Sequence, residues 1–297
     1  MTSTAQAGNA LATVIAPLIE GDGIKPTSLP GVSLLCLSRH QARTPLLYEP
    51  SLTIIAQGRK IGYLGDREIY YDPGHYLVQT LPLPFECETY GSPEAPLLGI
   101  SVRLDPALLS EMVTAMGNAV QQAHTPLPMA SVAMTEGMQD AVLRLARTLH
   151  VSVECSTMGT ARIRDVVFEA LKSEQGQALR ALVMGHGNYS RIVQVLSKLH
   201  THFAQDFSVE QLASQANMSP STFHQHFKQI TRSSPAQYLK RLRLIKAQQL
   251  LLQDNHNVNQ TAAAVGYRSV PQFSRDYKRY FGEPPLQHRR QEQALRV

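Results

Sequence analysis

The chain has 297 residues, 43% of them hydrophobic, and cysteines only at positions 36, 87 and 155. That is more chain than one domain usually needs, and so few scattered thiols fit neither a disulfide framework nor a zinc site. Apolar runs such as Leu97–Ile100 fall far below the roughly 20 residues that span a bilayer. The N-terminus lacks a basic stretch followed by an apolar core, so no membrane partner is expected and the location is read as cytoplasmic. Residues 1–189 carry 13 Lys+Arg against 17 Asp+Glu, while residues 190–297 carry 15 against 6, a net +9 within a total of +5. An acidic first part joined to a basic last third points to a polyanion partner, with nucleic acid ahead of a membrane surface.

In chain order, residues 1–29 are small and polar, interrupted by Pro and Gly, and read as a flexible N-terminus. Residues 30–105 alternate short β-rich runs with turn signals. The strand candidates are 32–38, 51–57, 68–71, 75–80 and 96–104, and "GRKIG", "LGD", "DPG" and "GSPEAP" punctuate them. Many short strands at this spacing predict a sandwich or small barrel. After Asp105-Pro106, an N-cap and first-turn pair, the pattern turns helical through residue 187. A Pro-rich joint, "HTPLP" (124–128), interrupts it, and "GHGN" (185–188) reads as a linker. One helix, near 160–176, carries an apolar stripe of Ile163, Val166, Val167, Ala170 and Leu171. The stripe either docks on its own domain or pairs two subunits. Residues 190–297 read as helical throughout.

The basic third contains a near-repeat. "VEQLASQANMSPSTFHQHFK" (209–228) aligns with "VNQTAAAVGYRSVPQFSRDYK" (258–278), at an offset of 49 before the turn and 50 after it. Ser208 and Asn257 are N-caps, each with Gln three positions on, the capping-box arrangement. Ala213 and Ala262 are small where a second helix must cross. Asn217 and Gly266 tolerate the left-handed backbone that ends a helix abruptly. A second helix follows, opened by Ser219-Pro220 in one copy and by Ser269 or Val270-Pro271 in the other, and its aromatic pair docks back on the first. The pattern is a helix-turn-helix, twice.

With Phe223, Phe227 and Ile230 inward, Ser221, Gln225 and Lys228 point outward, with Thr222, His224 and Gln229 on the shoulders. In the second copy Phe273 and Tyr277 point inward; Pro271, Arg275 and Lys278 point out beside Gln272 and Ser274. Gln and Arg can bond bidentately to adenine and guanine edges, Ser can contact several bases, and Lys suits phosphate. The alternative is an amphipathic helix whose outer face meets water. Two copies at fixed spacing in a segment of net +9 argue against it. Between the copies, residues 235–254 form a strut with Tyr238, Leu242 and Ile245 as an apolar row and Lys240, Arg241, Arg243 and Lys246 as a basic surface.

From about Ile192 to Pro285 the sequence resembles the AraC/XylS family of bacterial transcription regulators, on "LASQANMSPSTFHQHFK", "SPAQYLKRLRLIKAQQLL" and "AAAVGYRSVPQFSRDYKRYFGEPP". The resemblance implies binding of double-stranded DNA by two helix-turn-helix units on one face of the duplex. It places base reading at Ser221, His224 and Gln225, then at Gln272, Ser274 and Arg275. Backbone contacts are expected at Thr222, Lys228, Arg268 and Lys278. Ser221 departs from the family pattern, in which many members carry a larger residue. RNA polymerase is a further expected partner.

Residues 48–86 resemble the N-terminal domain of one AraC-type subfamily, a cupin-like β-barrel of the jelly-roll kind, and 162–180 resemble the helical segment after it. The expected architecture is thus multi-domain α+β. It comprises a cupin-like sensory β domain (30–105), a helical segment (106–187) and an all-α double helix-turn-helix domain (190–297). The resemblance implies a small-molecule effector, a homodimer, or both. The alternative is a metal-dependent cupin enzyme fused to a DNA-targeting domain. Residues 30–105 contain only His40 and His75, short of the His cluster that such a centre needs. His200 and His202 lie roughly 200° apart on a helix. No catalytic residue, metal or cofactor is therefore expected. A non-specific architectural DNA binder is a second alternative.

Overall fold

The computed structural model describes residues 10–117, 126–184, 187–253 and 256–294. The chain divides into two compact units. One is drawn from Met1–Arg43, Tyr48–Pro82 and Cys87–His186, the other from Gly187–Val297 with the segments Thr44–Leu47 and Leu83–Glu86. Among the described residues no helix is long and apolar enough to cross a membrane.

The first unit is β-rich. Its strands are β1 (Gly23–Pro26), β2 (Val32–Leu37), β3 (Gln41–Leu47), β4 (Ser51–Gln57), β5 (Arg59–Leu64), β6 (Arg67–Tyr71), β7 (His75–Gln79), β8 (Pro84–Tyr90), β9 (Leu97–Arg103) and β10 (Met129–Ala133). They form two antiparallel sheets, ordered β1-β2-β9-β4-β7-β10 and β3-β8-β5-β6. The expected cupin-like β fold is thus present as two sheets that do not close into a continuous barrel. One face of the larger sheet, with Leu34, Leu52, Ile54, Tyr76, Val78 and Ile100, packs on α3 (Glu136–Thr148) and α4 (Ser152–Lys172). The remaining helices of this unit are α2 (Pro106–Met116) and α5 (Gly176–Ala181).

Several expectations need correction. Part of the N-terminus at 1–29 is ordered: α1 covers residues 10–15 among those described, a 3-10 turn follows at Ala16–Leu18, and β1 pairs antiparallel with β2. Leu11, Ala12 and Ile15 are buried in the main core, and three apolar contacts on so short a helix leave little periodicity to read. Residues 1–9 lie outside the described residues. "GRKIG" is not a turn but most of β5, because Lys60, Ile61 and Gly62 are buried in a sheet. β10 lies inside the stretch read as helical (106–187), pairing antiparallel with β7 from Met129↔Gln79 to Ala133↔His75. Residues 124–125 of the Pro-rich joint and 185–186 of the linker lie outside the described residues. Gly187 and Asn188 already belong to a helix. The stripe on α4 docks on its own unit: Val166, Val167, Ala170 and Leu171 are buried in the main core.

From Gly187 onward the second unit is helical: α6 (Gly187–Thr201), α7 (Val209–Gln215), α8 (Pro220–Thr231), α9 (Pro235–Gln253), α10 (Val258–Ala264), α11 (Val270–Phe281) and α12 (Pro285–Ala294). Helices α7 and α8 form one helix-turn-helix, and α10 and α11 the other. α9 joins them.

Candidate nucleic-acid interface

The two copies are built alike. Ser208 accepts from Gln211 N at 3.2 Å and Asn257 accepts from Gln260 N at 2.8 Å; both capping boxes are complete. Each box satisfies donors that a helix start leaves orphaned. The turn is left-handed at Asn217 (φ 49°) and at Gly266 (φ 82°). At Gly266 the requirement is doubled, since a Cβ there would stand 2.2 Å from the Ala204 carbonyl oxygen. Ser219 and Ser269 then cap α8 and α11, each with Pro in the first turn.

The aromatic pairs anchor both second helices. Phe223, Phe227, Phe273 and Tyr277 are fully buried, and Ile230 is buried beside them. Phe223 and Phe227 rings lie 5.4 Å apart, and Phe227 meets Tyr238 of α9 edge-on at 5.5 Å. In the second copy Tyr267, Phe273, Tyr277 and Phe281 form a chain of rings at 5.3, 5.6 and 4.5 Å.

Burial of that edge leaves the opposite one in solvent. Ser221, Thr222, His224, Gln225 and Lys228 are exposed on α8. Gln272, Arg275 and Lys278 are exposed on α11, and Ser274 is half-buried. Three of the expected contact residues have local partners. Ser221 and Thr222 hydroxyls meet Ser219 Oγ at 3.1 and 2.9 Å. Arg268, just before α11, pairs with Asp206 at 2.7 Å.

Further residues, not singled out from the sequence, set the geometry of this surface. Asp276 is buried on α11. Lys240 of α9 donates to its Oδ1 at 2.6 Å and the Tyr267 hydroxyl to its Oδ2 at 3.3 Å. Burial, together with that carboxylate, pushes the Tyr267 hydroxyl well above the usual tyrosine range. The readable signal was that Asp276 is the one acidic residue within α11. The equivalent position in the first copy is His226, whose Nε2 lies 3.0 Å from Asn188 Nδ2 in the first turn of α6.

Arg243, expected on the basic surface, is instead turned inward, with its side chain 13% exposed. It donates to the carbonyls of Phe203 (2.7 Å), Ala204 (3.3 Å), Gln205 (2.8 Å) and Gly266 (3.3 Å), and to Asp206. The fixed fork of a guanidinium lets one side chain tie the segment before α7 to the turn after α10. His200 is likewise held within the fold, with Nε2 2.7 Å from the Tyr238 hydroxyl. Among the described residues no group of three His, Cys, Asp or Glu side chains could hold a metal ion.

Comparison with known proteins places both units. Residues 28–178 match the model for the AraC-type transcriptional regulator N-terminus, and residues 212–291 match a helix-turn-helix domain. The chain is 29% identical over 124 residues to the HTH-type transcriptional regulator GbdR of Pseudomonas aeruginosa, covering 41% of this chain and 34% of that one. It is 35% identical over 108 residues to the HTH-type transcriptional activator RhaS of Salmonella arizonae, covering 36% of this chain and 39% of that one. The chain thus spans 34% and 39% of the length of these two curated relatives. ToxT of Vibrio cholerae shares the fold at 7% identity, with a TM-score of 0.59 over 87% of this chain and 97% of that one.

Proposed function

The chain belongs to the AraC-type transcriptional regulators, and on that premise we propose that it reads a bipartite site on double-stranded DNA and regulates transcription from it. The small-molecule side of the reading assigns effector control to the β-rich unit. α8 and α11 are the reading helices. Gln225 and Arg275 contact base edges from their centres, and Lys228 and Lys278 contact phosphates.

One observation carries this reading. Two identically capped helix-turn-helix units each bury an aromatic edge and expose a polar one, in a segment of net +9. A solvated amphipathic helix has no need of a second copy. The family match gives no support to the catalytic-cupin alternative.

Selection from random DNA with the full chain tests the proposal. The expected result is one enriched motif with two sub-sites about one helical turn apart, bound ~10³-fold or more tighter than random DNA at physiological salt. Retention of all sequences alike would mean an architectural binder instead.

A further inference from the structure

The second helix of each helix-turn-helix ends on a left-handed residue, and the two ends differ. α11 stops at Gly282 (φ 87°), whose N–H donates to the Lys278 carbonyl at 2.8 Å. α8 stops at Arg232 (φ 56°), whose N–H donates to the Lys228 carbonyl at 2.9 Å. The two positions correspond at the offset of 50 that relates these helices. Glycine is the ordinary residue at such an end, because it has no Cβ to crowd the backbone. Among the described residues Asn217 and Arg232 alone adopt positive φ without being glycine. Asparagine tolerates that conformation, since its short polar side chain can bond locally. Arginine has no such compensation, so the first copy carries backbone strain that the second avoids.

Neighbouring residues hold the strained turn in place without help from the Arg232 side chain. Thr231 and Ser233 are buried on either side of it. The Thr231 hydroxyl lies 2.8 Å from the Phe227 carbonyl oxygen and 3.0 Å from that of Ser233, and it accepts from the Ser233 N–H at 3.3 Å. Arg232 itself is exposed, and among the described residues its guanidinium has no hydrogen-bond or ion-pair partner. Space does not decide the difference between the copies, since a Cβ at Gly282 would meet no atom within 4 Å. A strained arginine with no partner of its own points to a role outside the chain. It follows Lys228 by one turn, about 6 Å along the helix. The segment carries a net +9, and a guanidinium presents a planar fork that suits phosphate oxygens.

We propose that Arg232 grips a DNA phosphate just past the end of α8, a backbone contact that the second helix-turn-helix lacks at the same place. The proposal rests on the DNA reading above and adds a residue to it. The contact is independent of base sequence, so it fixes how α8 sits on the duplex and leaves the choice of bases to the residues on the helix itself.

Full-length Arg232→Gly, which installs the residue of the second copy, tests it on selected and on random DNA at several salt concentrations. The variant should bind both DNAs roughly 10-fold more weakly at low salt and lower the salt slope by ~1, with the preference between them unchanged. It should unfold within about two degrees of wild type or above it, since the left-handed backbone is relieved. Arg232→Lys should keep most of the affinity and the slope, because the charge remains. Wild-type affinity and slope in Arg232→Gly overturn the proposal. Weaker binding together with unfolding several degrees lower also overturns it, because Arg232 would then be structural. A loss confined to particular base pairs overturns it as well and assigns Arg232 to base reading. If wild type shows no preference among DNA sequences, the reading of a specific site fails while the slope still decides Arg232. Absence of binding to any DNA overturns both.

Discussion

Lys240 and Asp276 meet at 2.6 Å, and this pair joins α9 to α11, the second helix of the second helix-turn-helix. The contact is half in water: the lysine side chain is 43% exposed and the aspartate 11%. So exposed a pair supplies little stability, and we propose that it aims α11.

Asp276→Ala should therefore cost only about 1 kcal/mol in urea unfolding of the fragment from Gly187 onward. The same variant should lose preference at the sub-site read by α11 and keep it at the other. The fragment must begin at Gly187, because α6 starts there and Ser190 is already buried. An unchanged preference at both sub-sites would show that Asp276 does not orient the helix.

Arg243→Lys should destabilise that fragment by about 2 kcal/mol or more, although the charge is kept. A lysine cannot reproduce a fork that serves four carbonyls and a carboxylate at once. Equal midpoints for the lysine variant and wild type would mean that charge alone suffices.

The exposed polar residues should separate into two kinds on DNA. Gln225→Ala and Arg275→Ala should each cost ~1–3 kcal/mol and relax choice at particular base pairs, while Lys278→Ala weakens every sequence and lowers the salt slope by ~1. Affinities on single-base variants of the selected site, at several salt concentrations, distinguish them. A uniform loss for all three would leave none of them reading bases.

Spacing on the duplex should be rigid. α9 has 19 residues, about 28 Å of helix at 1.5 Å per residue, near the ~34 Å between successive major-groove faces on one side of B-DNA. Inserting ~5 base pairs between the sub-sites should abolish specific binding. Protection of both sub-sites at undiminished affinity would show that α9 does not hold the spacing.

Alkaline pH should unfold the first unit early. Burial pushes the Tyr76 hydroxyl up to about 12 from its ordinary value of 10. The folded value lies above the unfolded one, so this stability is intact below about pH 10 and is lost as pH rises toward 12. Tyr76→Phe should flatten the fall in unfolding temperature over that window, and a parallel curve for the variant would assign the loss to other groups.

The helical unit was nearly all readable in advance because its signals are local. Caps, the left-handed turn residues and the i, i+4 aromatics each act within one or two turns of helix. The outward face followed from the wheel. What escaped were contacts between elements far apart in sequence, such as Arg243 with Phe203 or Asn188 with His226, which no periodicity encodes. In the β-rich unit, Gly58 and Gly62 around a charged pair give β5 the local signature of a turn, and only the sheet explains why Lys60 is buried. The strand candidates also leave out β1, β3, β8 and β10, and nothing in the sequence announces α1: a proline lies in each of β1, β3 and β8, and α1 and β10 are short and take their order from packing.

α8 and α11 are copies in outline but are moored differently. At the same position of each repeat, His226 holds α8 to α6 and Asp276 holds α11 to α9. A substitution that loosens one mooring leaves the other intact. On the proposed reading, half of a bipartite site can change its preference while the other half still grips DNA.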